Sequence, residues 1–542
     1  MKTQFEVYST PLQARLRQTQ LDGEHAFFGQ RLTFTWNADY NSTSRINPDD
    51  RFALADLQYD LGTGLVAPSA DGKYKMNWGL IGPSSPYVSS QFVMYSGLEE
   101  NKKNAGANAE YKFKLLQQQQ KLKAGYLHSF RKAEYEQLYL HAYTATATGI
   151  NTIIGSSLHE FYDPANFSNG KLYYKEGAFM DRSGDAYTGR QTLDAAYLMA
   201  DISPVKPLHI IGGVRRENSV TKTNTFYSWY DSNAHYHFQD STFTRTDLDW
   251  LPSLTLIYSI TPKLNLRAAY SETLARPDFR ELTDCQYYNV SDRTQIINET
   301  AIEQSSTKNY DLRLEWYPSA GEVVSLSAFY KDFYKPVEKM IRLRSDRQNY
   351  DMLTVNLDGA IVKGLELNFR KSFGFITPAL KDLWLSGNGT ILKGNIESSN
   401  YTGTRERPLQ GLAPYNVNGS LTYEGKRWGV ALNYTRVGRT LVVGGEFAKN
   451  DTYENPRNVL DLQLSARFLK QRMEVKFNVS DLLNQDFIVY RNSGYVGSED
   501  SNADPGDFND RTSLGMDYNP GDYVISRTNK GVNYSVSVSY KF

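Results

Sequence analysis

The chain has 542 residues, far more than the ~100–200 of one ordinary domain, and balances 60 Lys and Arg against 60 Asp and Glu. Zero formal net charge removes the basic footprint of a nucleic-acid binder. A mean hydropathy of −0.55, with no stretch near the ~18 consecutive apolar residues of a spanning helix, excludes a helical membrane protein, and the single cysteine, Cys285, excludes an internal disulfide.

In chain order, Met1 to Tyr8 carry one lysine but no apolar stretch and no small-residue cleavage site, so they do not read as a secretory signal. Strands are expected to begin by about residue 8, because two-residue alternation of apolar and polar side chains recurs from the first fifty residues onward. It is plain at Tyr310, Leu312, Leu314 and Trp316 against Asp311, Arg313 and Glu315, and at Leu365, Leu367 and Phe369 against Glu366, Asn368 and Arg370. Leu460, Leu462, Leu464 and Phe468, then Met473, Val475, Phe477 and Val479, predict two strands of one hairpin. Tyr534, Val536, Val538, Tyr540 and Phe542 alternate with Ser535, Ser537, Ser539 and Lys541 in a last strand.

The connections fall into two populations. Short turns are expected at Ser203-Pro204-Val205-Lys206, Ile260-Thr261-Pro262-Lys263, Tyr317-Pro318-Ser319-Ala320-Gly321, Tyr423-Glu424-Gly425-Lys426 and Phe468-Leu469-Lys470-Gln471. Long polar loops are expected at roughly 145–187, 220–243, 277–303 and 484–521. Short turns alternating with long loops is the organisation of transmembrane β-barrels, with extracellular loops at one end. Period two alone also suits a large soluble all-β protein with charged faces in water. Energetics choose the face that meets lipid: Arg or Lys there costs ~2–4 kcal/mol at the midplane, so Arg472, Glu474 and Lys476 must turn to a polar lumen.

The expected fold class is therefore all-β, a large antiparallel transmembrane β-barrel of about seventeen strands. An odd number predicts missing strands, at the N-terminal side, since bacterial single-chain barrels have even counts and an unpaired edge in lipid costs several kcal/mol per group.

No GxSxG, HExxH, Walker-type loop or GxGxxG opens a helix, so no enzyme is expected; His159-Glu160 lacks a second histidine. In the loop from Glu499 to Asp510, Asp500, Asn502 and Asp504 match the first three ligand positions of a calcium loop. Pro505 stands where Gly is required and Arg511 where the bidentate Glu belongs, so a solvated acidic loop is the competing reading and no cofactor is otherwise expected. Tyr227, Trp229, Tyr230, His235, Tyr236 and His237 cluster rings on the expected extracellular side, where stacking on a sugar or an aromatic chelator is chemically reasonable. The same cluster would also serve as a loop packing on itself or as an interfacial girdle.

The run from Leu264 to Leu282, and most specifically Ala275-Arg276-Pro277-Asp278-Phe279-Arg280-Glu281, resembles the barrel of Bacteroidetes-type TonB-dependent outer-membrane receptors. Leu251 to Thr255, Thr307 to Leu312, Ala328 to Asp332, Lys363 to Leu367, Asn478 to Asn484 and, upstream, Glu99 to Asn104 fit the same resemblance in order. Tyr540 and Phe542, ending the last strand, are similar to the signal read by the barrel assembly machinery; an ordinary girdle residue is the alternative for Phe542.

The resemblance implies a Gram-negative outer-membrane location and TonB-coupled import of a scarce, large nutrient: a ferric chelate, glycan, cofactor or peptide. It implies outer-membrane lipid, the TonB complex and the assembly machinery as partners, with a surface lipoprotein as a further candidate and no nucleic acid. The family has a TonB box, a plug and about 22 strands. Residues 1–542 are therefore expected to be the C-terminal part of the barrel, with plug and about five strands absent. A passive porin-like channel and a soluble secreted glycan-binding β-protein are the alternative functions.

Overall fold

A computed structural model describes residues 4–57, 59–60, 64–65, 76–77, 91–144, 158–176, 183–230, 236–283, 285, 287–289, 294–298, 302–343, 350–396, 407–446, 450–492 and 517–542. The wall strands are β1 (Gln4–Ser9), β2 (Gln13–Phe27), β3 (Leu32–Leu57), β4 (Phe92–Leu115), β5 (Gln118–Thr144), β6 (Ser183–Val205), β7 (Leu208–Tyr230), β8 (Tyr236–Thr261) and β9 (Leu264–Ala275). They continue as β10 (Ser305–Trp316), β11 (Val323–Tyr334), β12 (Gly359–Ser372), β13 (Leu383–Ile396), β14 (Tyr415–Glu424), β15 (Trp428–Val437), β16 (Arg457–Phe468), β17 (Met473–Ser480) and β18 (Asn533–Tyr540).

Each wall strand pairs antiparallel with the next in the sequence, except that β1 and β2 both lie along β3, so these eighteen stretches occupy about seventeen places. The all-β, antiparallel expectation and the strand count hold. Among the described residues no pairing joins β18 to β1 or β2. The side chains of β2 and β18 are exposed almost throughout, as expected of strands with a neighbour on one side only.

Through the apolar band, each face of the wall has its own chemistry. Leu326, Leu365, Leu367, Leu385, Leu421, Leu432, Leu464 and Val536 share one face and remain exposed, Leu367 at 44%. Among the described residues no second sheet or helix covers them. Aromatic rings edge this apolar band: on β8, Trp250 and Tyr258 are both exposed on it. Eight residues of tilted strand span ~20 Å, close to the apolar height of a bacterial outer-membrane barrel. On the other face Arg267 pairs with Glu315 (2.8 Å), Asn418 donates to Asn388 (2.8 Å), Ser420 to Asn433 (2.7 Å) and Gln463 to Asn478 (2.7 Å). Cross-strand polar pairs thus satisfy one another on that face.

The five expected turns are all present. Two more close on residues with φ > 0: Phe28-Gly29-Gln30, and Leu116-Gln117, a two-residue hairpin of the kind whose twist matches the strands.

The loop expectations need correction. Residues 220–230 and 236–243 are strand where a loop was expected: β7 runs to Tyr230 and β8 starts at Tyr236, paired throughout. Thr221, Thr223 and Thr225 are buried on the polar face, so β-branched side chains continue the strand well beyond the ~9–11 residues needed to cross a bilayer. Within 145–187 there are short helices at Leu158–Phe161 and Pro164–Ser168, a strand at Leu172–Glu176 along β5, and the start of β6.

Other connections, at the end opposite the short turns, join in a second sheet. Thr294–Ile297 runs parallel to Tyr350–Asn356, which pairs with Val337–Leu343; that strand runs parallel to Thr440–Gly445, followed by Thr452–Glu454, Phe487–Arg491 and Tyr523–Thr528. Met340, Leu353, Val355 and Leu357 pack on Ala360 and Ile396 of the wall. Apolar packing in this protein therefore concentrates at the loop end.

Candidate functional site

The polar face above the apolar band is crossed by one segment, Arg276 to Thr283. After β9 the chain turns inward at Pro277, which fixes φ and donates no backbone hydrogen bond. The Asp278 side chain then caps a single 3-10 turn, Phe279–Leu282, in a reciprocal capping box with Glu281. From there the segment lies across the wall like a strap, reaching from β8 and β7 at Arg276 to β6 and β5 at Phe279.

Arg276 opens it. Its Nη1 donates to Glu217 of β7 (2.7 Å) and its Nη2 to Asp249 of β8 (3.0 Å). Arg215 donates to the other Glu217 oxygen (2.5 Å), and Gln304 to the other Asp249 oxygen (2.7 Å). One guanidinium thus spans two carboxylates on neighbouring strands, the fork geometry that arginine provides and lysine does not.

Phe279 follows into a slot shaped by small residues. Gly189 of β6 and Ala133 of β5 are direct cross-strand partners, and the ring lies against both, 2% exposed. A Cβ on Gly189 would stand 2.3 Å from the ring, so only glycine leaves room. The Arg131 guanidinium covers the ring at 4.5 Å and is itself held by Glu100 (2.6 Å) and Asp278 (2.8 Å). On the next rung Tyr135 and Tyr187 stack at 5.3 Å, with Arg280 over Tyr135 at 4.6 Å. Burial raises the Tyr135 hydroxyl well above its ordinary value and pushes Tyr187 up to about 12, so both rings stay neutral partners for the cation. Thr223 donates to the Leu282 carbonyl (3.0 Å), and buried Cys285 closes the cluster.

A second tie fastens the loop end. The Tyr162 hydroxyl donates to the carbonyls of Phe52 and Phe92 (2.8 Å each), binding the short helices to β3 and β4. In the second sheet, Glu338 and Arg407 form an ion pair at 2.6 Å with both side chains 2% exposed. The other Glu338 oxygen accepts from the Gln410 amide (2.6 Å), and Arg407 Nη1 donates to the Pro408 carbonyl (3.1 Å).

Arg276, Pro277, Asp278 and Phe279 are therefore brought together as one structural unit, whose partners Glu217, Asp249, Gln304, Arg131 and Gly189 sequence reasoning did not name. Their signal was parity: Arg215, Glu217 and Ser219, like Asp247 and Asp249, sit at polar-face positions. The ring cluster lies at the tip of the β7–β8 hairpin, where Trp229 faces His237 and Tyr230 faces Tyr236 in the backbone register, with Tyr227 opposite Gln239. His235 falls outside the described residues, as do Asp500, Asn502 and Asp504. Tyr540 ends β18, and its ring meets that of Phe542 edge-on at 5.2 Å. Among the described residues no three His, Cys, Asp or Glu side chains gather in a metal-holding group.

A family model described as TonB dependent receptor-like, beta-barrel matches residues 4–482. No curated protein matches in sequence. The fold is similar to the ferric yersiniabactin uptake receptor FyuA from Yersinia pestis, at 14% identity and TM-score 0.50, over 86% of this chain and 59% of that one. It is also similar to the ferric citrate transporter FecA, at 13% identity and TM-score 0.55, over 97% of this chain and 70% of that one. BauA, the ferric preacinetobactin receptor from Acinetobacter baumannii, matches at 12% identity and TM-score 0.54, over 98% of this chain and 64% of that one. The chain thus spans about three fifths of the length of FyuA.

Proposed function

The chain belongs to the family of TonB-dependent receptor-like β-barrels, Gram-negative outer-membrane proteins that are transport receptors and not enzymes, and from that premise we propose that it forms the wall and outer vestibule of an importer for a large, scarce nutrient. The observation that carries this reading is the segregation of the wall: bare apolar side chains on one face, and hydrogen-bonded polar rungs, strap and roofing sheet on the other. Hydrocarbon suits the first and a water-filled lumen the second. A soluble glycan-binding protein would not leave such an apolar band exposed.

Import would be coupled to TonB through a plug held in this lumen, and further strands of the full-length receptor would satisfy the exposed margins at β2 and β18. Tyr540 and Phe542 would serve recognition by the assembly machinery. Tyr227, Trp229, Tyr230, His235, Tyr236 and His237 are the first candidates for ligand capture. A calcium ion at Asp500, Asn502 and Asp504 remains a separate proposal, for which calorimetry without heat on adding calcium is the negative result.

The substrate class to test first is a ferric chelate, since the similar structures are named for ferric yersiniabactin, ferric citrate and ferric preacinetobactin. Under iron limitation, a strain lacking the gene should lose growth on one ferric chelate and regain it when the intact gene returns. Unchanged growth on every chelate, with ohmic TonB-independent conductance in planar bilayers, would replace the importer by a porin-like channel.

A further inference from the structure

Beyond the apolar band on the lipid-facing side, the register lines up cations. Lys132 of β5 is the direct partner of Arg190 of β6, and Arg190 of Lys222 of β7. They share parity with Tyr126, Leu198 and Val214 of the same strands, which are exposed on the lipid-facing side. Lys103 of β4, opposite Tyr40 of β3 and Phe130 of β5, lies one rung nearer the short turns. Lys132 stands about fourteen residues along β5 from the turn, past the ~9–11 that a strand needs to cross. The row therefore sits just outside the hydrocarbon, at headgroup height.

Like charges directly opposite on an antiparallel pair are destabilising, so a bare row of this kind needs compensation. Little comes from the protein. Lys132 pairs with Glu134, whose direct partner Glu99 is the other carboxylate on the next rung. Lys103, Arg190 and Lys222 are exposed and make no ion pair among the described residues. One rung nearer the short turns are the rings of Tyr40 and Phe130 on either side of Lys103, and the exposed Tyr126 and Leu198 follow six and eight residues below the row on their strands, so anything reaching the row from the membrane side brings an acyl portion to the band and an anion to the ledge.

We propose that Lys103, Lys132, Arg190 and Lys222 form an outward ledge that binds the phosphate groups of outer-leaflet lipid. Arginine at the centre supplies a planar fork for a phosphate, and the flanking lysines add point charges. The ledge makes no contact with the lumen and takes no part in nutrient capture. It fixes the protein against its own lipid.

The experiment uses the protein extracted from outer membranes and placed in phosphatidylcholine nanodiscs, titrated with bisphosphorylated lipid A, with dephosphorylated lipid A, and with inorganic phosphate as competitor. At low salt each surface cation contributes ~1 kcal/mol to an anionic lipid surface, so Arg190→Gln with Lys222→Gln should weaken bisphosphorylated lipid A roughly thirtyfold. Dephosphorylated lipid A should bind both forms equally weakly, and the conservative pair R190K/K222R should retain most of the affinity. Heat-modifiable migration of each variant on gels checks that the wall is folded. Equal affinity of wild type and double glutamine variant would overturn the ledge, and displacement of the lipid by inorganic phosphate at comparable concentration would overturn its assignment to lipid.

Discussion

Gly189→Ala is the sharpest perturbation of the strap. The added methyl would stand 2.3 Å from one ring carbon of Phe279 and 2.6 Å from two others, more than an ångström inside ordinary contact. The ring has no retreat: it is 2% exposed, covered by Arg131 at 4.5 Å, and flanked by the Tyr135–Tyr187 stack. Overpacking of this kind costs ~1–3 kcal/mol, and here the cost falls on docking of the strap because the strands on either side are paired along their length. Cys285, the only cysteine and 1% exposed in the same cluster, is a native reporter. If labelling by a maleimide requires the strap to lift, its rate should rise about 5- to 150-fold in Gly189→Ala. In a Phe279→Ala background the added methyl has nothing to strike, so the increment should vanish, an interaction energy read from the double-mutant cycle. An unchanged labelling rate in Gly189→Ala, or the same increment with and without the Phe279 ring, would refute the slot.

Arg276→Met removes the cation between Glu217 and Asp249; with those side chains mostly buried, the loss should be ~2–4 kcal/mol of strap docking on the same Cys285 assay, and Arg276→Lys should recover only part of it. In the second sheet, Arg407→Met alone leaves Glu338 buried and uncompensated and should cost ~3–5 kcal/mol, read as faster proteolysis of the extracellular connections, whereas Arg407→Met with Glu338→Leu should be near neutral. On the wall, Leu367→Arg should lower stability in vesicle urea titrations by ~2–4 kcal/mol, while Asn388→Arg on the opposite face should change it by less than ~1 kcal/mol. Comparable costs at the two sites would mean that the faces have been assigned wrongly.

Much of the wall was legible because its side chains obey one rule, with lipid on one side and water on the other. The hairpin of β16 and β17 and the last strand follow directly from the alternation of Val475, Lys476, Phe477 and Asn478 and of Val536, Ser537 and Val538. Four turns with Pro or Gly and the polar turn at Phe468–Gln471 were readable; Phe28-Gly29-Gln30 and Leu116-Gln117 were not, and in the latter two ordinary residues adopt φ > 0, where the strand twist sets the conformation. The stretch 220–243 misled because its outer side, Lys222, Asn224, Thr242 and Thr244, is polar above the membrane, so alternation loses its apolar half while pairing continues.

The second sheet was invisible for another reason. Its strands come from connections far apart in sequence, and short segments such as Thr452–Glu454 gain stability only from partners brought together by the wall. The strap motif was recognised as a pattern, yet its purpose depends on Gly189 and Arg131, which no spacing links to Phe279.

The central claim is that water meets one face of every wall strand and lipid the other. In a Cys285→Ser background, single cysteines at Val475, Lys476, Phe477 and Asn478 of β17 should be exposed in intact outer membranes to a membrane-impermeant maleimide small enough to enter the lumen. Labelling confined to positions 476 and 478 is the predicted result; labelling at 475 and 477 as fast as at their neighbours would contradict it.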